Sequence, residues 1–356
     1  MTGVQTCALP ISRAAAVTLE PFWDTALGGR APQDRDQASR IIGSALRAAD
    51  AVADAPAAAM LLHPFRIDDL DHEHADSFGK IAGRYGQPWT AELMRTWFAG
   101  KQPGWAYAGG PERARWIADR LPGLCARLHA SGQAGAVAAQ QLVELAWEWT
   151  AQDIAAGLAS PWPSRRDEQL GDLARPLASV LMAAAAIGAA STRDAVSGFV
   201  REQGDAVTAL EMPALRAAAK LARRAARGEA GFGDLAADCA ARLRVRLARP
   251  QRACGDWSVE LPAGPCDCEL CRTLRGFLED KTRRTFEWPI AKERRRHVHS
   301  RIDAAELPVT HVTRRQGSPY TLVLHKTEAL FTREQEARKR DETDLDWLAA
   351  QWSPGA

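Results

Sequence analysis

The sequence Cys266-Asp267-Cys268-Glu269-Leu270-Cys271, followed later by Arg294-Arg295-Arg296-His297-Val298-His299, decides the fold of the C-terminal region. Zinc prefers four sulfur or nitrogen ligands at the corners of a tetrahedron, and three closely spaced thiolates supply three of them. A histidine from the second stretch supplies the fourth. We therefore predict a zinc site with these ligands: Cys266, Cys268, Cys271 and His297, or His299 in place of His297.

A site with four protein ligands leaves no coordination position for water, so we expect the zinc to be structural. The module around these cysteines is poor in apolar residues, and metal binding is expected to stabilise its fold by on the order of 10 kcal/mol. Two other interpretations fit the same cysteines: reduced thiols at the surface, or a redox pair.

The overall composition is that of an ordinary globular protein. The chain has 356 residues, of which 46% are hydrophobic and 25% charged, and its formal net charge is +2. This balance gives no global attraction to nucleic acid or to a membrane. The most apolar stretch, 177–190, is shorter than the roughly 18 residues of a membrane-spanning helix, so we predict a buried helix there. The cysteines are few, and three of the seven are clustered, which is typical of a reducing compartment and predicts a cytoplasmic location.

The first residues need separate treatment. Met1-Thr2-Gly3-Val4-Gln5-Thr6-Cys7-Ala8-Leu9-Pro10-Ile11 looks like the translation of a common sequencing adapter. We expect the segment 1–11 to be an artefact and the chain to be a fragment that lacks the N-terminal part of its parent protein.

Residues 12–250 are rich in Ala, Leu and Arg at helical spacing, with glycine or proline between the helical stretches. We predict helices over 34–53, 90–98, 111–121, 134–156, 165–187, 191–203, 213–227 and 234–248. Thr90 is expected to cap the second of these helices. The succession of short helices predicts an irregular α-solenoid of HEAT-like helix pairs. The tryptophans of this region are expected in its core: Trp89, Trp97, Trp105, Trp116, Trp147 and Trp149.

The composition changes near Pro250, and we predict a second domain, a small α+β module, over 251–356. Helices are predicted over 273–279, 291–305 and 327–351. The stretches 309–314 and 320–325 alternate β-branched and polar residues around Gln316-Gly317-Ser318-Pro319, which predicts a β-hairpin. The predicted fold is therefore mainly α, with the hairpin and the zinc site in the C-terminal module.

Basic side chains are concentrated in the same module: Lys281, Arg283, Arg284, Lys292, Arg294, Arg295, Arg296, Arg301, Arg314 and Arg315. Such a patch can contact phosphates, so nucleic-acid binding through the basic helix 292–301 is the alternative function. No aromatic platform is interleaved with these charges, and a solvated helix face also explains them.

His72-Glu73-His74-Ala75-Asp76 contains an H-x-D step, which supplies two ligands of an iron-binding facial triad, with His129 as a third ligand. Iron sites of this type lie on β-barrel strands, whereas this region is predicted to be helical, so we interpret these residues as a polar helix start. The isolated Cys125 and Cys239 are predicted to be buried apolar residues. No glycine-rich phosphate loop, nucleophile elbow or H-E-x-x-H motif occurs in the sequence.

Further phrases accompany the cysteines and histidines: Asp256-Trp257-Ser258, Gly317-Ser318-Pro319-Tyr320-Thr321-Leu322-Val323 and Lys326, with Tyr85-Gly86 and Trp147-Glu148-Trp149 upstream. Together they resemble the tail of a group of bacterial proteins related to prolyl-4-hydroxylase-like 2-oxoglutarate/Fe(II) oxygenases. The resemblance implies a catalytic β-helix domain upstream, which binds Fe(II) and 2-oxoglutarate. No position of this chain matches the iron triad of that domain.

These observations predict a non-catalytic scaffold and protein-interaction region with a structural zinc module. The helical array is expected to bind a protein partner, and no membrane is expected to be involved. The chain itself is expected to have no catalytic residues. Its full-length parent is expected to be a 2-oxoglutarate/Fe(II)-dependent dioxygenase.

Overall fold

The computed structural model describes residues 35–52, 54–99, 110–160, 162–204, 208–262 and 266–352. The adapter-like segment 1–11 and Trp105 lie outside these ranges. Within them the chain is mainly helical, with a small antiparallel sheet near the C-terminus. The predicted fold class, a mainly α chain with a small α+β module, is confirmed. The HEAT-like pairing and the domain boundary near residue 250 stay predictions.

The helices before the cysteines are α1 (Arg35–Ala51), α2 (Ala55–Leu62), α3 (Ala75–Tyr85), α4 (Gln87–Ala99), α5 (Gly110–Asp119), α6 (Leu121–Ala130), α7 (Gln133–Leu158), α8 (Pro163–Asp172), α9 (Ala174–Ala186), α10 (Ala190–Glu202), α11 (Thr208–Leu221), α12 (Arg224–Glu229) and α13 (Phe232–Ala248). Two short 3₁₀ turns, Ile67–Asp69 and His72–His74, join α2 to α3. The C-terminal elements follow in the order α14 (Glu269–Glu279), β1 (Thr285–Pro289), α15 (Lys292–Ala304), β2 (Val309–Arg314), β3 (Thr321–Lys326) and α16 (Ala329–Trp352).

The chain divides into two compact units that interleave along the sequence. The first unit comprises Met1–Ile154, Asp172–Gly204 and Pro213–Asp234, and the second comprises Ala155–Gly171, Asp205–Met212 and Leu235–Ala356. Each unit therefore contains segments that are far apart in the sequence.

Large aromatic side chains fill the core of the first unit and bond to the backbone. Trp97 and Trp116 are buried, as predicted, and each indole N–H donates to a carbonyl, of Leu62 at 2.8 Å and of Leu70 at 2.7 Å. These bonds satisfy the polar end of a side chain whose rings are excluded from water. Trp89, Trp147 and Trp149 are half-buried.

Three helix predictions need correction. Thr90 does not cap a helix, because α4 begins at Gln87 and the Thr90 hydroxyl donates to the carbonyl of Gly86, four residues earlier. The predicted helix 165–187 is two helices, α8 and α9, and 213–227 is divided between α11 and α12. The apolar stretch near residue 177 does form a buried helix, as predicted, since nine residues of α9 are buried.

The second unit is built around a three-stranded antiparallel sheet with the strand order β1-β3-β2. The predicted hairpin strands β2 and β3 pair from Val309↔Lys326 to Arg314↔Thr321. Alternate residues of β3 face the core, and α14 and α15 contribute apolar residues to the same core. The sequence did not predict β1, which pairs with β3 from Thr285↔His325 to Pro289↔Thr321.

Lys326 joins the sheet to the end of α14. Its ammonium group donates to the carbonyls of Leu278, at 2.9 Å, and Asp280, at 2.6 Å, and lies 4.8 Å from the ring centre of Phe277. The residue has no exposed surface, and burial lowers the pKa of its amine to about 8. A cation near carbonyls at a helix C-terminus is favourable, so Lys326 fixes the C-terminal end of α14 to β3.

Glu306 makes a second connection within this unit. It has a positive φ of 49°, a conformation that side chains other than glycine rarely adopt. Its carboxylate accepts hydrogen bonds from the backbone N–H and the hydroxyl of Ser164 at the start of α8, and its carbonyl accepts one from Arg333 at 2.7 Å. These contacts hold the unusual backbone in place and satisfy an N–H that the helix leaves unpaired.

The buried Lys326 predicts how stability depends on pH. The folded chain releases this proton near pH 8, whereas an unfolded lysine releases it near pH ~10.4, so the unfolded state binds more protons between these values. Stability therefore rises with pH in that range. Between pH ~8 and pH ~10, we expect the unfolding free energy of the parent to rise by on the order of 1–2 kcal/mol relative to Lys326→Met. Urea unfolding measures this difference.

The matched control is Lys281→Met, because the Lys281 side chain is 73% exposed, with its ammonium group 3.8 Å from a carboxylate oxygen of Asp256. The control is expected to show the same pH dependence as the parent. A difference between the parent and Lys326→Met that stays constant with pH would contradict the role assigned to the buried amine.

Candidate metal centre

The cysteine stretch lies where the chain enters α14. Cys268 is the N-cap of this helix, with an extended backbone at φ −69° and ψ 169°, and Cys271 lies in its first turn. The extended N-cap and the helical turn point the cysteine side chains toward the same side. The structure thus gives a geometric reason for the close C-x-C-x-x-C spacing.

The apolar face of α14 brings these cysteines to α15. Leu270, Leu274 and Leu278 recur at helical spacing and are buried in the core of the second unit. Val298 and Ile302 of α15 belong to the same core. Because α14 and α15 pack together, His297, next to Val298, lies opposite the first turn of α14.

Three sulfur atoms and one imidazole nitrogen converge at this position. The Nε2 atom of His297 lies 3.9 Å from Cys266 Sγ, 3.4 Å from Cys268 Sγ and 3.3 Å from Cys271 Sγ. The four atoms all lie within 4.8 Å of one another. Zinc–sulfur and zinc–nitrogen bonds of about 2.3 and 2.0–2.1 Å in a tetrahedron put sulfur and nitrogen about 3.6 Å apart. The group can therefore hold one metal ion.

The cysteines of the group differ in environment. Cys271 is only 1% exposed, whereas Cys266, Cys268 and His297 are half-buried. The backbone N–H groups of Cys271 and Leu270 lower the pKa of the Cys268 thiol to about 6, and burial raises that of Cys271 to about 11. Metal ligands must be thiolates, so a bound cation would supply the positive charge that buried Cys271 lacks.

Two exposed ion pairs flank the cysteine stretch. Arg275 contacts Asp267 at 3.2 Å, and Arg294 contacts Glu269 at 2.8 Å. Exposed pairs of this kind contribute little free energy. They nevertheless orient the loop between Cys266 and Cys268, and the second pair links α15 to the start of α14.

His299, the alternative fourth ligand, lies outside the Cys/His group. Its Nδ1 atom faces the Nδ1 atom of His311 on β2, and His311 Nε2 lies 3.0 Å from a carboxylate oxygen of Asp303. Burial lowers the pKa of His299, with His311 as the next contribution. The sequence did not predict this His–His–Asp chain, because His311 belongs to another element.

Much of the basic helix is used inside the unit. Arg295 is buried, donates to the carbonyls of Ile290 and Tyr320, and lies 5.4 Å from the tyrosine ring centre. Arg301 donates to the carbonyl of Pro262. With Arg294 paired as above, these contacts leave less charge for phosphates than the sequence suggests. The buried face of α15 could have been predicted from helical spacing, because Arg295, Val298 and Ile302 lie three and four residues apart.

The other ligand residue types do not gather in this way. His74 is buried and its Nδ1 accepts the Asp71 N–H at 3.0 Å, while Asp76 contacts Arg127 at 3.6 Å. Over the described ranges, the Cys/His group is the one set of three or more histidine, cysteine or carboxylate ligands close enough for a metal ion. Cys125 and Cys239 are buried, as predicted.

No helix among the described residues is both long and apolar enough to cross a membrane.

Substitution of a ligand residue is expected to weaken metal binding. We expect the full chain to bind one zinc ion, and Cys271→Ser or His297→Ala to weaken zinc binding by on the order of 100-fold, because each removes one of four ligands. Competition with a chromogenic chelator measures the affinity.

Cys254→Ser and His299→Ala are the matched controls, since Cys254 is exposed and neither residue belongs to the group. Both are expected to bind zinc as the parent does. A parent affinity that His297→Ala leaves unchanged, but His299→Ala reduces, would show that His299 is the fourth ligand.

Comparisons with known proteins add no relative to this description. No family model matches the sequence, and no curated protein or solved structure matches it significantly. The relation to prolyl-4-hydroxylase-like oxygenases therefore stays a prediction from the resemblance. The functional argument depends on the geometry of the Cys/His group.

Proposed function

We propose that the chain is a non-catalytic scaffold and protein-interaction region, and that zinc bound by Cys266, Cys268, Cys271 and His297 stabilises its second unit. The observation that carries the proposal is the close approach of three sulfurs and one nitrogen, all within 4.8 Å of one another. Four such ligands complete a zinc tetrahedron, so no position remains for a reacting water molecule.

The ligand chemistry supports zinc over other metals. Thiolate and imidazole ligands in a tetrahedron are typical of zinc, whereas magnesium and calcium require oxygen ligands. Facial iron sites use two histidines and one carboxylate and keep open positions. The set of three cysteines and one histidine supports a structural ion.

The site also lies where an ion would stabilise the fold. The ion would connect the loop at Cys266, the start of α14 and the middle of α15, which are otherwise held by apolar packing and exposed ion pairs. Lys326 holds the other end of α14. A cross-link at one end of the helix and a buried cation at the other support a rigid module with a structural role.

We propose that the protein partner binds the first unit along α7. Two grooves, of about 360 and 410 Å³, share Gln87, Gln133, Val137 and Gln141 in their walls. Glutamine amides both donate and accept hydrogen bonds, as a peptide backbone does. The side-chain oxygen Oε1 of Gln141 is buried without a hydrogen-bond partner among the described residues. Gly83 and Ala134 also line the smaller groove, where they contact each other closely: a Cβ atom added at Gly83 would lie 3.3 Å from Ala134.

The proposed structural role of zinc is tested by asking whether the metal has an open coordination position. In the cobalt-substituted full chain, excess azide is expected to leave the visible spectrum unchanged, because all four positions are filled by the protein. His297→Gly opens one position, so exogenous imidazole is expected to restore a tetrahedral spectrum in that variant. If azide changes the parent's spectrum, the metal has an open position and the non-catalytic proposal is wrong.

The proposed partner surface is tested by photo-crosslinking from α7. A photoreactive amino acid at Gln133, which lines both grooves, is expected to give a discrete protein adduct in an extract of the source organism. Glu148, exposed on the same helix but outside these walls, is the matched control and is expected to give none. Identical adducts from the two positions would contradict partner binding in this groove.

A further inference from the structure

Cys268 and Cys271 form a C-x-x-C pair at the N-terminus of α14. Cys268 is the N-cap and Cys271 lies in the first turn, and their sulfur atoms are within 4.8 Å of each other. The first cysteine is half-buried and the second is 1% exposed. In redox-active C-x-x-C pairs, the accessible first sulfur reacts with the oxidant and the second completes a disulfide.

We propose that Cys268 and Cys271 are a reversible oxidation site, at which a hydroperoxide forms a disulfide between them and releases the metal ion. The proposal goes beyond a purely structural ion and rests on the proposed zinc centre, because the same two sulfurs are ligands. The structural module thereby becomes sensitive to its redox environment.

The chemistry balances with hydrogen peroxide, the simplest hydroperoxide, as the oxidant. The Cys268 thiolate attacks one peroxide oxygen and the O–O bond breaks, which gives a sulfenic acid and hydroxide. The Cys271 thiolate then attacks the Cys268 sulfur, so the S–S bond forms, the S–O bond breaks and a second hydroxide leaves. The two sulfurs lose the two electrons that the peroxide gains. A dithiol reverses the step by thiol–disulfide exchange.

Release of the ion follows from the ligands that remain. With both sulfurs in a disulfide, only Cys266 and His297 are left, and two ligands do not hold zinc in a tetrahedral protein site. The alternative pair Cys266–Cys268 spans a single intervening residue and lies outside the helix, whereas one helical turn already brings Cys268 and Cys271 together. All three sulfurs lie within 4.8 Å of one another, so it is the spacing along the chain that favours the C-x-x-C pair.

The experiment uses the reduced, zinc-loaded full chain, with its zinc content measured before oxidation. Hydrogen peroxide is then added, released zinc is followed with a chromogenic chelator, and disulfides are mapped by mass spectrometry after alkylation of free thiols. We expect release of the ion, a Cys268–Cys271 disulfide and an alkylated Cys266. Dithiothreitol and zinc are then expected to restore the bound ion.

The outcomes separate the two proposals. If the parent binds no zinc before oxidation, the proposed zinc centre fails. If zinc is bound but peroxide gives another disulfide, irreversible sulfur oxidation or no reaction, the oxidation site is overturned while the zinc centre stands.

Variants provide the matched controls. Cys266→Ser retains the C-x-x-C pair and is expected to form the same disulfide, and its failure to do so would overturn the proposal. Cys271→Ser removes the second sulfur. The fraction of its initially bound zinc that peroxide releases reversibly is expected to be at least ~10-fold smaller than in the parent. Cys254→Ser, at an exposed cysteine outside the group, is expected to behave as the parent does.

Discussion

The packing of α14 against α15 is the contact on which the candidate metal centre depends. The cysteines come from the approach to α14 and from its first turn, while His297 comes from the middle of α15, so neither helix alone assembles the ligands. The shared core that includes Leu274, Val298 and Ile302 sets the distance between the helices. The apolar contact therefore determines the geometry of a polar site.

Local sequence patterns predicted the features that depend on neighbouring residues. The spacing of Cys266, Cys268 and Cys271 identified the sulfur cluster, since few local structures other than a metal site bring these residue types together. Helical periodicity located most helices, and alternation between Val309 and His325 identified the hairpin. These signals lie within a few residues of each other, so they can be detected without the tertiary structure.

Features that depend on distant residues could not be predicted in the same way. Strand β1 has five residues, including Glu287 and Pro289, and only its pairing with β3 makes it a strand. Likewise, Lys326 looks like one more surface lysine until its contacts with the end of α14 are seen. In each case the contacting residues lie more than 30 positions away in the sequence. Tertiary contacts then override the structural preference of the local sequence.

The interleaving of the two units has a consequence for synthesis on the ribosome. The segment Ala155–Gly171 emerges well before Leu235–Ala356, although both belong to the second unit. Helix α8 therefore remains without the carboxylate of Glu306, which bonds to Ser164, until much later in translation. The second unit cannot complete its assembly until the segment Leu235–Ala356 has been synthesised, and the early segment has to avoid misfolding or aggregation until then.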